Sequence, residues 1–278
     1  ATDATCSGLQ ILAALASDRK TAQLVNVLPS DRPQDAYKVV AECAKPEIPQ
    51  KLHSIWDRKC VKRTVMTIPY NAKPFSNRSY IREALKEKGI EIDKDELTQT
   101  VKAVRDAMHT VVPGPMSVMK WIETEVSKLI KSGKELLVWE TPSGFNVYQK
   151  LMKHDTQTIR LQLLGRCELQ IAEETDEVSI TRHKAATAPN LIHSLDASLL
   201  HLSAIRFDAP IALIHDSVLC RATDMSTLSN IVRETYMNLF ANTNYLKVFA
   251  SQIGADTEPP IIGDLKPEAV IDSTYFFC

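Results

Sequence analysis

The stretch Pro210-Ile211-Ala212-Leu213-Ile214-His215-Asp216-Ser217-Val218-Leu219-Cys220 carries the reading of this chain. Pro210 to Ile214 is apolar and reads as a strand, His215-Asp216-Ser217 as a tight turn, and Val218 to Cys220 as a second strand. A carboxylate at the tip of such a hairpin is pinned by a rigid scaffold while its oxygens stay accessible, which suits a metal ligand. Asp and Ser also favour tight turns through their own local hydrogen bonds, so the hairpin alone leaves both readings open. A second carboxylate is needed. Asp3 offers one, in Asp3-Ala4-Thr5-Cys6-Ser7-Gly8-Leu9-Gln10, where the small residues after the acid allow close approach of a ligand or neighbouring backbone. Alone, it reads equally well as a frayed terminus. Two aspartates from distant parts of a chain, converging on divalent cations, meet the requirement of two-metal phosphoryl or nucleotidyl transfer.

The third element is basic. Between Arg58 and Lys88 nine Lys and Arg residues face two acids, Glu83 and Glu87. Arg58, Lys62, Met66 and Tyr70 recur every four residues, so a helix presents them along one slowly drifting face. A nucleoside triphosphate suits that order: an arginine fork and a lysine point charge for phosphate oxygens, then an apolar residue and a tyrosine that can sense the sugar. A solvated basic helix face has the same composition.

The rest of the chain frames these elements. With 278 residues, 44% hydrophobic and 24% charged, it is of ordinary globular composition, which excludes a disordered or fibrous protein. Lys plus Arg (33) nearly cancels Asp plus Glu (34), so global charge neither supports nor excludes nucleic acid. The cysteines Cys6, Cys43, Cys60, Cys167, Cys220 and Cys278 are scattered without a CxxC pair and read as buried thiols in a reducing, cytoplasmic compartment. No apolar run approaches the roughly 20 residues of a membrane span, and no signal peptide opens the chain, so a soluble protein with no membrane partner is expected. Helices are predicted over Asp31 to Ala44, Glu91 to Val112, Met116 to Lys131 and Asn190 to Phe207, with Pro113-Gly114-Pro115 as a break. Leu136 to Trp139 and Phe145 to Tyr148 read as strands around a turn, and Thr158 to Leu164 and Glu168 to Ala172 as strands extending a sheet.

Three ordered stretches resemble motifs A, B and C of the bacteriophage-type single-subunit RNA polymerases: Asp3-x-x-Cys6-Ser7-Gly8-x-Gln10, Arg58-x-x-x-Lys62-Arg63-x-Val65-Met66-Thr67-x-x-Tyr70, and Ile214-His215-Asp216-Ser217. Trp139-Glu140-Thr141-Pro142-Ser143-Gly144-Phe145 and Ala188-Pro189-Asn190-Leu191-Ile192-His193-Ser194-Leu195-Asp196 resemble the same family. So do Val25-Asn26-Val27-Leu28-Pro29-Ser30 and the terminal Tyr275-Phe276-Phe277-Cys278, so the similarity spans the chain.

The resemblance implies an α+β polymerase right hand: a palm β-sheet with a largely helical fingers subdomain. Residues 1–19 would be palm, 20–193 fingers, and 194–278 palm with a carboxyl-terminal foot. It implies that Asp3 and Asp216 hold two Mg²⁺ ions and that Arg58 and Lys62 contact the incoming triphosphate, with Lys62 as proton donor to departing pyrophosphate. Tyr70 matches the residue that chooses ribose over deoxyribose, His193 the one that contacts the ribose 2′-hydroxyl, and Arg63 and His215 are expected at nucleic acid. The implied function is DNA-templated RNA synthesis from ribonucleoside triphosphates, with DNA template and nascent RNA as partners, in the host bacterial cytoplasm if the chain is phage-encoded.

The chain departs from the family pattern where Ala4 and Asn71 replace glycines and Ile11 a histidine. Pro69 is expected to end or kink the helix just before Tyr70, and Asn71 to tolerate a left-handed backbone there. Thumb and amino-terminal domain are expected to lie outside this chain, as in a carboxyl-terminal fragment or one subunit of a split, heterodimeric polymerase; shortened spacings between motifs favour the second. Two rival readings remain: a family A DNA polymerase, which prefers Glu where Ser217 stands, and an inactive nucleic-acid-binding or scaffolding subunit retaining the fold.

Overall fold

The computed structural model describes residues 2–161 and 167–277. The chain opens in a two-residue strand, β1 (Thr2–Asp3), followed by helices α1 (Ser7–Leu15) and α2 (Arg19–Leu24). The sequence of α1 is apolar nearly all round, and the helix is buried along its whole length. Asp18 closes the turn after it. Its buried carboxylate accepts hydrogen bonds from Thr21 N (3.1 Å), Thr21 Oγ1 (2.6 Å) and Gly114 N (2.9 Å), so three donors offset the cost of burying the charge. Gly114 is required there, because a Cβ would stand 2.5 Å from Asp18 Cβ.

Five helices follow: α3 (Ala36–Ala44), α4 (Arg58–Thr67), α5 (Pro74–Glu87), α6 (Lys94–Val111) and α7 (Pro113–Lys131). Two begin later than their periodicity predicts, because caps fix their starts. Asp35 caps α3 by accepting from Lys38 N, and Asp93 forms a capping box with Glu96 on α6. The Pro-Gly-Pro break narrows to Val112. Pro113 and Pro115 lie within the first turn of α7, where a missing amide hydrogen leaves no bond unmade. The basic stretch is not one continuous stripe, since four of its cations pair: Arg58 with Asp35 (2.6 Å), Arg63 with Glu83 (2.7 Å), Lys73 with Glu123 (3.2 Å) and Lys88 with Asp57 (2.7 Å).

Strands β2 (Leu137–Glu140) and β3 (Asn146–Gln149) form the expected hairpin, each starting one residue after its prediction. Strands β4 (Met152–Leu161) and β5 (Cys167–Val178) do not extend a sheet; among the described residues they pair only with each other, as an antiparallel ribbon. Their described side chains are exposed on both faces over most of the length, and one face carries the exposed apolar residues Ile159, Leu169 and Ile171. The expected strand positions Gln162 to Leu164 lie outside the described residues.

Helix α8 (Ile180–Ile205) starts ten residues before its prediction, is capped by Ser179 accepting from Arg182 N, and contains Pro189 in its interior. Then come β6 (Ile211–Ile214), β7 (Ser217–Cys220), α9 (Met225–Ala241) and α10 (Tyr245–Ile253). The hairpin read from Pro210 to Cys220 is therefore present, with a two-residue turn closed by the Ile214–Ser217 pair. A three-stranded antiparallel sheet runs β1-β7-β6, with Thr2 opposite Val218 and Asp3 opposite Ser217. The aromatic tail seals its edge: Ala4 bridges Phe277, Thr5 Oγ1 donates to Tyr275 O (2.6 Å), and Phe276 and Phe277 are buried.

Two apolar clusters flank α1. Leu9, Ala13 and Ala14 join α3 to α6, α9 and the tail, while Ile11, Leu12 and Leu15 join α7, β2, α8 and α10. The molecule is thus a mixed fold of helices and small antiparallel sheets, in agreement with the α+β expectation. Of the cysteines predicted to be buried thiols, Cys60 is buried, whereas Cys6, Cys43 and Cys220 are partly exposed; these four are free. Among the described residues no helix is long and apolar enough to cross a membrane.

Candidate active site

A cavity of about 610 Å³ opens where the three-stranded sheet meets α1, α4 and α8. Asp3 reaches it from β1 and Asp216 from the β6–β7 turn, in which His215 adopts a left-handed backbone (φ 55°). The Asp3–Ser217 pairing places the first acid beside the turn that carries the second. Burial, then the charge of Asp216, raises the Asp3 carboxyl above its usual value, while a hydrogen bond from Ser217 and the positive charge of Lys62 act in the opposite direction. Two like charges are therefore held close together.

Arg58, Lys62 and Met66 enter from one face of α4. The helix ends at Thr67, one residue before the Ile68-Pro69 step, and Tyr70 follows outside it, with Asn71 left-handed (φ 63°). Both local expectations are borne out, yet Tyr70 still lines the same cavity as Arg58, Lys62 and Met66. Lys62 has no ion-pair partner among the described residues and sits exposed at the cavity. Arg58 is tied at Nε to Asp35 Oδ2 (2.6 Å), and its guanidinium carbon lies 5.0 Å from the Tyr37 ring centroid. Arg63, expected at nucleic acid, pairs with Glu83 of α5 and lies 4.2 Å over the Tyr80 ring, with its side chain still largely exposed. His215 is exposed at the cavity rim.

From α8 comes His193, whose ring stacks on Tyr70 with centroids 4.8 Å apart and planes at 21°. Burial, helped by the nearby His215, lowers the His193 pKa and favours the neutral ring. Burial pushes the Tyr70 hydroxyl up to about 12, so it remains a protonated donor. Ser7 Oγ stands 3.3 Å from Tyr70 Oη and donates to Asp216 Oδ2, also at 3.3 Å. One hydroxyl thus links a metal-ligand candidate to the candidate sugar sensor. Gly8, the next residue, lets Tyr70 lie against α1: a Cβ there would be 3.1 Å from Tyr70 Oη.

Sequence reasoning gave no role to Ser7, Asp35, Tyr37 or Asp196. Asp196 is a buried carboxyl at the cavity wall, pushed up to about 7 by burial first and then by the charges of Asp216 and Asp3. Its signal was present, since it stands three residues after His193 and so shares that helical face. Asp35 and Tyr37 had none, because a capping residue and a core tyrosine show no link to Arg58 in one dimension.

A family model described as DNA-dependent RNA polymerase matches residues 1–259. The chain is 32% identical over 303 residues to DNA-directed RNA polymerase 2, chloroplastic/mitochondrial, of Arabidopsis thaliana, covering 99% of this chain and 30% of that protein. It is 31% identical over 306 residues to DNA-directed RNA polymerase 2A of Nicotiana tabacum, covering 99% and 90%, and 31% identical over 305 residues to DNA-directed RNA polymerase 1, mitochondrial, of Arabidopsis thaliana, covering 99% and 31%. The chain thus spans about 30% of the length of the Arabidopsis relatives and most of the tobacco 2A protein. With motifs A, B and C meeting at one cavity and the family model matching all but the last residues, this chain belongs to the bacteriophage-type single-subunit DNA-dependent RNA polymerase family.

Proposed function

We propose that the chain forms the catalytic part of a DNA-directed RNA polymerase that joins ribonucleotides on a DNA template and releases pyrophosphate. The observation that carries this reading is the convergence of Asp3, Lys62, Tyr70, His193 and Asp216, from separate stretches of sequence, on one cavity. In this reading β1, β6 and β7 belong to a palm with segments 1–19 and 194–278, and the helical segment 20–193 to fingers. The 3′-hydroxyl of the RNA gives up its proton to solvent as its oxygen bonds to the α-phosphorus of the incoming triphosphate, and the bond from that phosphorus to the bridging oxygen of the leaving pyrophosphate breaks.

Asp3 and Asp216 suit Mg²⁺. They are two close, mutually repelling carboxylates, and no cluster of three or more His, Cys, Asp or Glu poised for a metal is found among the described residues. A pair of accessible carboxylates, with the Asp196 carboxyl buried beside them, matches an ion that keeps waters and substrate phosphates in its shell. Bound there, two Mg²⁺ ions would lower the pKa of the attacking hydroxyl and neutralise charge on the leaving phosphates. Lys62, without an ion-pair partner among the described residues, binds the triphosphate and gives its proton to the leaving pyrophosphate. Arg58 offers the guanidinium edge that Asp35 does not occupy to phosphate oxygens. Tyr70 and neutral His193 form a polar wall against the sugar, where a missing hydroxyl leaves a buried partner unmet at a cost of about 1–3 kcal/mol.

In this reading the remaining polymerase elements come from a longer chain or from a second polypeptide in a two-subunit enzyme. The bacterial-cytoplasmic setting of the phage-encoded case belongs to the same proposal, whereas the Arabidopsis relatives are named as chloroplastic/mitochondrial and mitochondrial enzymes. The test is RNA-primed extension on a DNA template with Mg²⁺ by the protein captured from its native source, with ribo- and deoxynucleotides compared. Ribonucleotide extension is expected, together with a loss of at least about a hundredfold in Asp216→Ala at unchanged template binding. Template binding with no extension by the unmodified protein would refute the reading and leave a scaffolding subunit.

A further inference from the structure

Pro189 lies inside α8 and has no amide hydrogen to offer the carbonyl four residues back, Ala185 O. An interior helix carbonyl without its bond carries a desolvation cost unless another donor replaces the amide. A donor is present. Asn71 Nδ2 donates to Ala185 O at 2.9 Å, with a longer contact to Lys184 O at 3.4 Å.

The position of that donor is specific. Asn71 directly follows Tyr70, in a left-handed conformation (φ 63°) that asparagine tolerates better than most side chains. The other end of its amide is also engaged: Asn71 Oδ1 accepts from Lys73 Nζ at 2.6 Å, and Lys73 pairs with Glu123 of α7 at 3.2 Å. His193 stands one helical turn beyond Pro189, so the amide ties together the two segments whose rings stack at 4.8 Å. Few residues meet both demands. Glycine would take the backbone conformation but has no donor, and aspartate would present a carboxylate to a carbonyl.

We propose that Asn71 is a positioning residue for sugar selection: its side-chain amide replaces the bond Pro189 removes from α8 and so sets how the Tyr70 and His193 rings meet at the insertion site. The inference rests on Tyr70 and His193 being the sugar-sensing pair, and it assigns to this chain's departure from glycine after the tyrosine a function beyond tolerance of the turn.

The test measures kcat/KM for a ribonucleoside and the matching deoxynucleoside triphosphate in Asn71→Gly, Asn71→Asp and Tyr70→Phe, each in the native assembly. Asn71→Gly keeps the backbone conformation and deletes only the amide, and a loss of about fivefold in the ribose-to-deoxyribose ratio is expected, with kcat for the ribonucleotide within about twofold. Asn71→Asp, which retains size but not the donor, is expected to show the same loss. An unchanged ratio in Asn71→Gly beside a changed ratio in Tyr70→Phe would overturn the role of Asn71 alone. An unchanged ratio in Tyr70→Phe would overturn both this inference and the sugar-sensing reading beneath it. A purely structural role would lower the melting temperature of Asn71→Gly and leave the ratio untouched.

Discussion

Gly8→Ala sets two opposing effects against each other at the active site. Gly8 is the second residue of α1, where alanine is favoured over glycine by at most the helix-interior difference of about 1 kcal/mol. Against that gain, the new methyl would meet Tyr70 Oη at 3.1 Å, Pro69 Cβ at 3.2 Å and Tyr70 Cζ at 3.2 Å, each inside ordinary van der Waals contact. Helix α1 cannot back away, because it is buried along its whole length between two apolar clusters. Pro69 is buried as well, so the tyrosine ring is the part able to move. Overpacking of this kind costs about 1–3 kcal/mol, which outweighs the propensity gain by up to about 2 kcal/mol.

A net loss of that size lowers the melting temperature of a chain this long by no more than about 5 °C. The larger effect falls on Tyr70, whose hydroxyl is 3.3 Å from Ser7 Oγ and whose ring stacks on His193. A displacement of a few tenths of an ångström there is expected to reduce discrimination against deoxynucleotides by roughly three- to tenfold. The assay is single-nucleotide incorporation from a primed template, with both sugars measured on the same preparation and thermal melting in parallel. A melting temperature that rises by the full helix-propensity gain, with sugar selection unchanged, would refute the close packing of Tyr70 against α1.

Two further outcomes are expected. Asp35→Asn keeps a competent cap on α3 but breaks the 2.6 Å pair to Arg58, so the arginine has to be immobilised when substrate binds. The KM for the triphosphate should rise about two- to tenfold at nearly constant kcat, and an unaltered KM would show that Asp35 does not hold Arg58 for substrate. Asp196 titrates at about 7 in the folded chain against a usual value of 3.8, so the folded state binds the extra proton. Its contribution is fully present near pH 4 and is lost as pH rises through 7. In metal-free buffer Asp196→Asn should therefore raise the melting temperature at pH 8 and change it little near pH 4; equal shifts at both pH values would contradict the assignment.

The parts of the site legible in the sequence are those fixed by neighbours along the chain. The turn carrying Asp216 follows from two short apolar runs around turn-forming residues, and the helix end before Tyr70 from Pro69 and Asn71, because these effects act within a few residues. The starts of α3 and α6 lie later than periodicity predicts for a related reason. Hydrophobic periodicity marks a helix face, whereas the side-chain caps Asp35 and Asp93 decide where the helix begins. Helix α8 starts ten residues before its prediction and takes Pro189 into its interior, where proline normally argues against a helix. Only the folded chain shows Asn71 meeting the carbonyl that Pro189 leaves open.

By itself the sequence determined the candidates for the chemistry, through three motifs in a fixed order whose residue types suit phosphate, metal and sugar. Tertiary structure decided their arrangement: the register that sets Asp3 beside Ser217, the Arg58–Asp35 pair, the Tyr70–His193 stack and the burial of Asp196. The reason is physical. Local propensity and turn chemistry act over a few residues, whereas these contacts join positions far apart in sequence, and their geometry is fixed only when the buried faces of α1, α4 and α8 pack together.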